Sequence, residues 1–253
     1  MVADEPEGHL IMTPEGVWAG ARLPDDDMLN TTERAHLQAA VDGWQSCASH
    51  LPRGDAHAAI CAKFFGGGYK GDQDARMAMN HSAVGGEAAA QLKALDIQKQ
   101  LRTLLTTTVM PKVRKYFADL LDAPRELLRR LGVGTTFVDY FTSITCGHLF
   151  YNRAHSDNDL WITILVALGD CECGGGFVHP GCGVVQAVRA GDVLVVNPCV
   201  EHCTSEFGDE LSSRRMVAIF VSENAFRACA TSVSVAESNA LSVCQGKAKR
   251  RKR

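Results

Sequence analysis

His155 and Asp157 stand one residue apart in the segment Asn152-Arg153-Ala154-His155-Ser156-Asp157-Asn158-Asp159. On extended backbone, residues i and i+2 project to the same side. One imidazole and one carboxylate can then reach a single metal ion. His202 follows 45 residues after Asp157, just past Gly191-Asp192-Val193-Leu194-Val195-Val196-Asn197-Pro198. A fold that lays His202 beside the first segment puts two imidazoles and one carboxylate on one face of the ion. The opposite face stays open, as in non-haem Fe(II) oxygenases. His-x-Asp pairs recur by chance, so the assignment rests on all three residues in this order.

Arg214 and Arg215 begin the run Arg-Arg-Met-Val-Ala-Ile-Phe-Val that ends at Val221. A guanidinium there can grip the far carboxylate of a small diacid by a bidentate salt bridge. The keto-acid end of that diacid would chelate the metal. Strand alternation does not choose between the two arginines, because both faces of the run are apolar. Asn152, Asn158 and Asp159 flank the metal motif and are candidates to read the hydrogen-bonding edge of a substrate. Asn and Asp also favour turns, and two of the three suit that simpler role.

Elements must bring these residues together. From residue 134 the pattern is short, β-branched and apolar segments separated by Gly, Pro and Asn. Strands are expected at Thr136–Thr142, Ile144–Tyr151, Leu160–Leu168, Gly176–His179, Val184–Val188, Asp192–Asn197, His202–Phe207 and Arg214–Val221. This spacing suits a sandwich or barrel, not a parallel βαβ sheet. Before residue 134 the pattern is helical. Asn30-Thr31-Thr32-Glu33 reads as a helix start, with Leu37, Val41 and Trp44 on one face. A second helix spans Glu87 to Val109. Pro111 restarts a third, which ends near Leu131, with Leu120, Leu121, Leu127, Leu128 and Leu131 as a core stripe. Residues 52–74, centred on Gly66-Gly67-Gly68, read as a loop. Residues 224–246 read as a short helix and then linker. Helices first and strands second make an α+β fold, a double-stranded β-helix (jelly roll) core with N-terminal helices packed on it. The divisions are an acidic, loosely ordered lead-in over 1–28, a helical cover over 29–133, the core over 134–223 and a tail over 224–253.

The chain of 253 residues is 46% hydrophobic and 22% charged, which excludes a disordered protein. Its most apolar stretches, such as Ile162 to Leu168 with Thr163 inside it, are far short of the roughly 20 residues of a membrane-spanning helix. The acidic start lacks the apolar stretch of a secretory signal. Residues 1–27 hold seven acids against one base, Arg22, whereas residues 247–253 hold six bases and no acid. The rest of the chain therefore carries −9 against −3 for the whole. Such a terminal block reads as a nuclear-localisation or nucleic-acid-contacting tail, which assigns the protein to the nucleus and otherwise to the cytoplasm. Of ten cysteines, five lie between 171 and 203, beside His179 and His202. Their spacing lacks paired Cys-x-x-Cys knuckles, so buried thiols are expected there in place of structural zinc.

Residues 136–222 resemble the Fe(II)/2-oxoglutarate-dependent dioxygenases. The matching residues are His155-Ser156-Asp157, Gly174-Gly175-Gly176-Phe177, Gly191-Asp192-Val193-Leu194, His202 and Arg215-Met216-Val217-Ala218-Ile219-Phe220. Within that family, Trp161–Gly169 and the segment from Gly174 to Val184 look most like the TET and base-J hydroxylase branch, oxygenases of the 5-methyl group of pyrimidines. The resemblance implies that His155, Asp157 and His202 bind iron. It gives the 2-oxoglutarate carboxylate to Arg215, with Arg214 second. Molecular oxygen is the other substrate, and ascorbate is a possible reductant. The chain departs from the family in its Gly-Gly continuation and in Cys171 and Cys173.

The expected activity is oxidation of a 5-methyl group of 5-methylcytosine or thymine in DNA. A prolyl-type protein hydroxylase with the same iron centre is the rival, with Tyr151 and the loop 64–74 lining a peptide groove. A cupin-like metal-binding protein without turnover is the reading from another class, and a scaffold in which the triad is coincidence is the plainest.

Overall fold

A computed structural model of the chain describes residues 10–47, 63–71, 77–81, 88–130, 138–148, 153–169, 175–205, 214–221 and 223. Its centre is β6 (Leu160–Leu168), buried without a break from Ile162 to Leu168. A strand covered on both faces reads as a continuous apolar run, and β6 is covered on both. Ile162, Ile164, Val166 and Leu168 enter a core shared with Leu37, Trp44, Leu101, Val113 and Leu121 of the helices. Leu165 and Ala167 enter a second core with Phe177 and Val188.

The large sheet runs β1 (Leu10–Met12), β2 (Trp18–Arg22), β9 (Val193–Val196), β6, β11 (Arg215–Val221), β5 (Ser143–His148), β3 (Lys63–Gly71) and β4 (Met77–His81). A small sheet of β10 (Cys203–Thr204), β7 (Phe177–His179) and β8 (Val184–Gln186) provides the second layer. Every strand pairing among the described residues is antiparallel. The architecture is thus mixed, with helices on antiparallel sheet.

The helical layer is α1 (Thr31–Cys47), α2 (Ala88–Leu104) and α3 (Met110–Arg130), with a π-turn at Leu105–Val109 joining the last two. Asn30 and Glu33 form a reciprocal cap at the start of α1. The Glu33 N–H donates to Asn30 Oδ1 at 3.0 Å and the Asn30 N–H donates to Glu33 Oε2 at 2.9 Å. Such a cap contributes about 1 kcal/mol. Among the described residues no helix is long and apolar enough to cross a membrane.

The structure corrects several expectations. The acidic lead-in is not loose where it is described: β1 and β2 form a hairpin, and β2 extends the large sheet from β9. Residues 63–71 are not loop. Their backbone forms β3, with Gly66, Gly67 and Gly68 opposite Thr145, Ile144 and Ser143. Glycine composition argued for a turn, but pairing with β5 satisfies the backbone whatever the side chains. The helical cover therefore contains a β-hairpin. Thr136–Thr142 is not a strand where described, because Val138 and Phe141 close a turn with Asp139 at φ 49°. Leu120 is exposed while Leu121 is buried, so the expected core stripe on α3 is narrower.

Gly191 has no substitute at its position. Its φ is +98°, and a β-carbon there would sit 2.8 Å from the Leu29 carbonyl oxygen. The Leu29 N–H donates to the Gly191 carbonyl at 2.9 Å, so this close approach seats the chain entering α1 against the turn before β9.

Candidate metal centre

His155 and His202 meet as a short antiparallel bridge. Each backbone N–H donates to the other's carbonyl, at 3.0 and 2.8 Å. Residues paired across such a bridge carry their side chains on one side, and the two ring centroids are 4.6 Å apart. The Asp157 N–H donates to the Pro198 carbonyl at 2.8 Å, tying the His-x-Asp segment to the loop that leads to His202.

The ring orientations are fixed from behind. His155 Nδ1 lies 2.7 Å from the Arg153 carbonyl and His202 Nδ1 lies 2.9 Å from the Val200 carbonyl. A carbonyl only accepts, so each Nδ1 carries the proton and each Nε2 keeps its lone pair. The Nε2 atoms then face Asp157, at 3.6 Å from Oδ1 for His155 and 3.5 Å from Oδ2 for His202. One ligand atom from each of the three residues lies within 4.8 Å of the others, and this is the one such cluster of three among the described residues. Two imidazole nitrogens and a carboxylate oxygen are the donor set that suits Fe(II), so the residues present fit an iron ion.

Packing supports this corner. The Phe177 ring stacks on His202 with centroids 5.4 Å apart. His179 lies edge-on to Phe177 at 5.1 Å and is fully buried. Gly20 of β2 makes room for it, since a β-carbon there would stand 3.2 Å from His179 Nε2. Burial, then the charge of His202, pushes His179 down to about 4, with the Glu201 backbone opposing in part. Neither ring nitrogen makes a well-formed hydrogen bond to a described residue, so His179 is a neutral imidazole beside the cluster. The sequence offered no signal for this, because a histidine on a three-residue strand resembles any other core histidine.

The two arginines separate cleanly. Met216 and Ala218 pack into the core between the sheets, whereas Val217, Ile219 and Val221 pack into the core under the helices. By strand alternation Arg214 shares the face of Met216, and it is buried to 2% exposure. That is the face that looks toward Phe177 and the histidines. Arg215 shares the other face, and its Nε donates to Asp42 Oδ1 of α1 at 2.6 Å. The assignment of the diacid to Arg215 is therefore corrected, because Arg215 is committed to the helical side of the sheet. Arg214 is the guanidinium on the metal side.

Asn158 is exposed. Burial, then the charges of Asp157 and Glu223, pushes the Asp159 carboxyl up to about 8, and the Asp159 carbonyl lies 3.9 Å from the Cys199 thiol. Asn152, Tyr151, Cys171, Cys173, residues 224–246 and the basic tail lie outside the described residues. The buried thiols expected between 171 and 203 are not found among the described residues there, since Cys182, Cys199 and Cys203 are only half-buried; Cys146, outside that stretch, is fully buried.

No protein-family model and no curated protein sequence matches this chain. Solved structures do resemble it. One is NgTET1 in complex with 5mC DNA, at 14% identity and a TM-score of 0.53, covering 89% of this chain and 82% of that one. Another is an oxidoreductase of the 2OG-Fe(II) oxygenase family from Burkholderia pseudomallei, at 13% identity and a TM-score of 0.45, covering 80% of this chain and 85% of that one. At 14% identity to NgTET1 the property shared is the fold.

Proposed function

We propose that the protein is an Fe(II)- and 2-oxoglutarate-dependent dioxygenase that oxidises the 5-methyl group of a modified pyrimidine in DNA. The observation that carries the reading is the convergence of His155 Nε2 and His202 Nε2 on the Asp157 carboxylate, at 3.6 and 3.5 Å. In this reading the facing sheets are the two halves of a jelly roll, and the triad holds iron at one end of it. Bound iron with 2-oxoglutarate supplies the oxidising equivalent for a C–H bond, and the protein positions and shields the reactants. Arg214 grips the distal carboxylate of 2-oxoglutarate by its planar fork. Phe177, Leu165 and Met216 keep the space between the sheets apolar. His179 offers a neutral imidazole beside the cluster, able to donate or accept one hydrogen bond.

The DNA substrate is supported by the fold shared with NgTET1, which was solved with 5mC DNA. A base in duplex DNA must be flipped out of the stack to reach such a centre. The basic tail at 247–253 adds salt-dependent affinity for phosphates and directs the protein to the nucleus. Ascorbate serves as a reductant.

The test is anaerobic reconstitution with Fe(II), then oxygen, 2-oxoglutarate and a 5-methylcytosine duplex, with mass spectrometry of the digested nucleosides. An oxidised pyrimidine that is absent with His155→Ala and Asp157→Ala is the expected result. Succinate without a modified base moves the substrate to protein, and a chain that takes up no iron overturns the reading.

A further inference from the structure

The helical face of the large sheet carries a second concave feature. Where α1 passes the Gly169 end of β6 and the start of β11, a cleft of about 350 Å³ opens to solvent. Thr31, Arg34, Ala35, Gln38, Gly169 and Arg215 line it. The α1 residues recur at three- and four-residue spacing, so a single helix face forms one wall. Two guanidinium groups therefore meet in one cleft, Arg34 from the helix and Arg215 from the strand.

Asp42 answers only one of them. It accepts from Arg215 Nε at 2.6 Å and from the Gln38 amide at 3.2 and 3.0 Å, which fixes both side chains in the cleft wall. Arg34 forms no ion pair among the described residues. Its Nη1 makes a long 3.4 Å bond to the Ala190 carbonyl, and its Nε meets no acceptor among the described residues. Arg34 therefore brings to the cleft wall a positive charge that no carboxylate among the described residues matches.

We propose that this cleft binds a phosphate group, held by Arg34, Arg215 and the Thr31 hydroxyl. Three donor groups, two on one face of α1 and one on β11, border the cleft. That suits a tetrahedral group presenting three oxygens, whereas one planar fork uses up both oxygens of a carboxylate. The volume matches the small end of ligand pockets. It admits either a small phosphorylated molecule or one phosphate of a nucleic-acid backbone. The site is separate from the metal cluster, because Arg215 and Arg214 face opposite sides of the sheet, and it does not rest on the oxygenase reading.

Equilibrium dialysis of the full chain against radiolabelled inorganic phosphate tests it, with and without Fe(II) and saturating 2-oxoglutarate. The expected result is one saturable phosphate per chain in both conditions. Arg34→Met and Arg215→Met each weaken it at least tenfold, and Arg189→Met, which removes an arginine outside the cleft, does not. Near-ultraviolet circular dichroism checks that each variant is folded. A DNA duplex that displaces the label assigns the phosphate to a nucleic-acid backbone; a duplex that does not assigns it to a small molecule. Absence of saturable binding at millimolar phosphate, or equal loss in Arg189→Met, overturns the proposal.

Discussion

The Asp157 carboxylate lies between two imidazoles, with Oδ1 3.6 Å from His155 Nε2 and Oδ2 3.5 Å from His202 Nε2. The Nδ1 atoms are held from behind by backbone carbonyls, which orients both Nε2 atoms toward the carboxylate. Fe(II) added without oxygen should raise the melting temperature, by the equivalent of about 3 kcal/mol at a hundredfold excess over Kd. Differential scanning calorimetry reads this. The rise should vanish in Asp157→Ala and on adding a chelator. A rise that survives Asp157→Ala would place the metal elsewhere.

Arg214 and Arg215 give opposite expectations. Arg214→Met should raise KM for 2-oxoglutarate by more than tenfold, since a buried charged hydrogen bond to the cosubstrate is lost. Arg215→Met should change that KM far less. Its partner Asp42 is 44% exposed, and such pairs contribute less than about 1 kcal/mol. Steady-state kinetics of the two variants decide the assignment, and a larger effect at Arg215 reverses it.

Gly191→Ala should destabilise the protein by on the order of 2 kcal/mol or more. The new β-carbon meets the Leu29 carbonyl oxygen at 2.8 Å, and φ is +98°. Urea unfolding measures the loss. Gly181→Ala, with no atom within 4 Å of the added carbon, is the matched control and should cost far less.

Folded His179 titrates at about 4, below its ordinary 6.5. At pH values between these two the unfolded chain binds a proton that the folded chain does not. Stability should therefore fall as pH drops from 6.5 toward 4, by on the order of 3 kcal/mol. Unfolding of the metal-free protein across this window should show a flatter profile in His179→Phe. An unchanged profile would mean that other groups set the acid limb.

The His155–Asp157 pair was legible because its spacing is local: a two-residue period on extended backbone puts both side chains on one side, whereas His202, 45 residues on, depended on a fold that returns it. The choice between Arg214 and Arg215 was not legible, because the run that follows is apolar on both sides. Only the layers that cover β11, helices on one face and the small sheet on the other, decide which arginine looks inward. β3 was missed for a related reason. Glycine has no side chain to advertise a strand, and the backbone pairing of Gly66–Gly68 with β5 depends on residues some 75 positions away. β6 was read to the residue, since a run that is apolar at every position but Thr163 and bounded by Asp159 and Gly169 has few other ways to be buried.

The β1–β2 hairpin caps the β9 side of the large sheet, and β9 reads Val-Leu-Val-Val with every residue buried. Trimming the chain past Arg22 would therefore do more than remove an acidic leader. It would uncover the unpaired backbone groups of a flat, uncharged strand, the kind of edge on which a second molecule adds. Shortened versions beginning near Leu29 should precipitate or pair edge to edge, so expression trials belong on the full N-terminus.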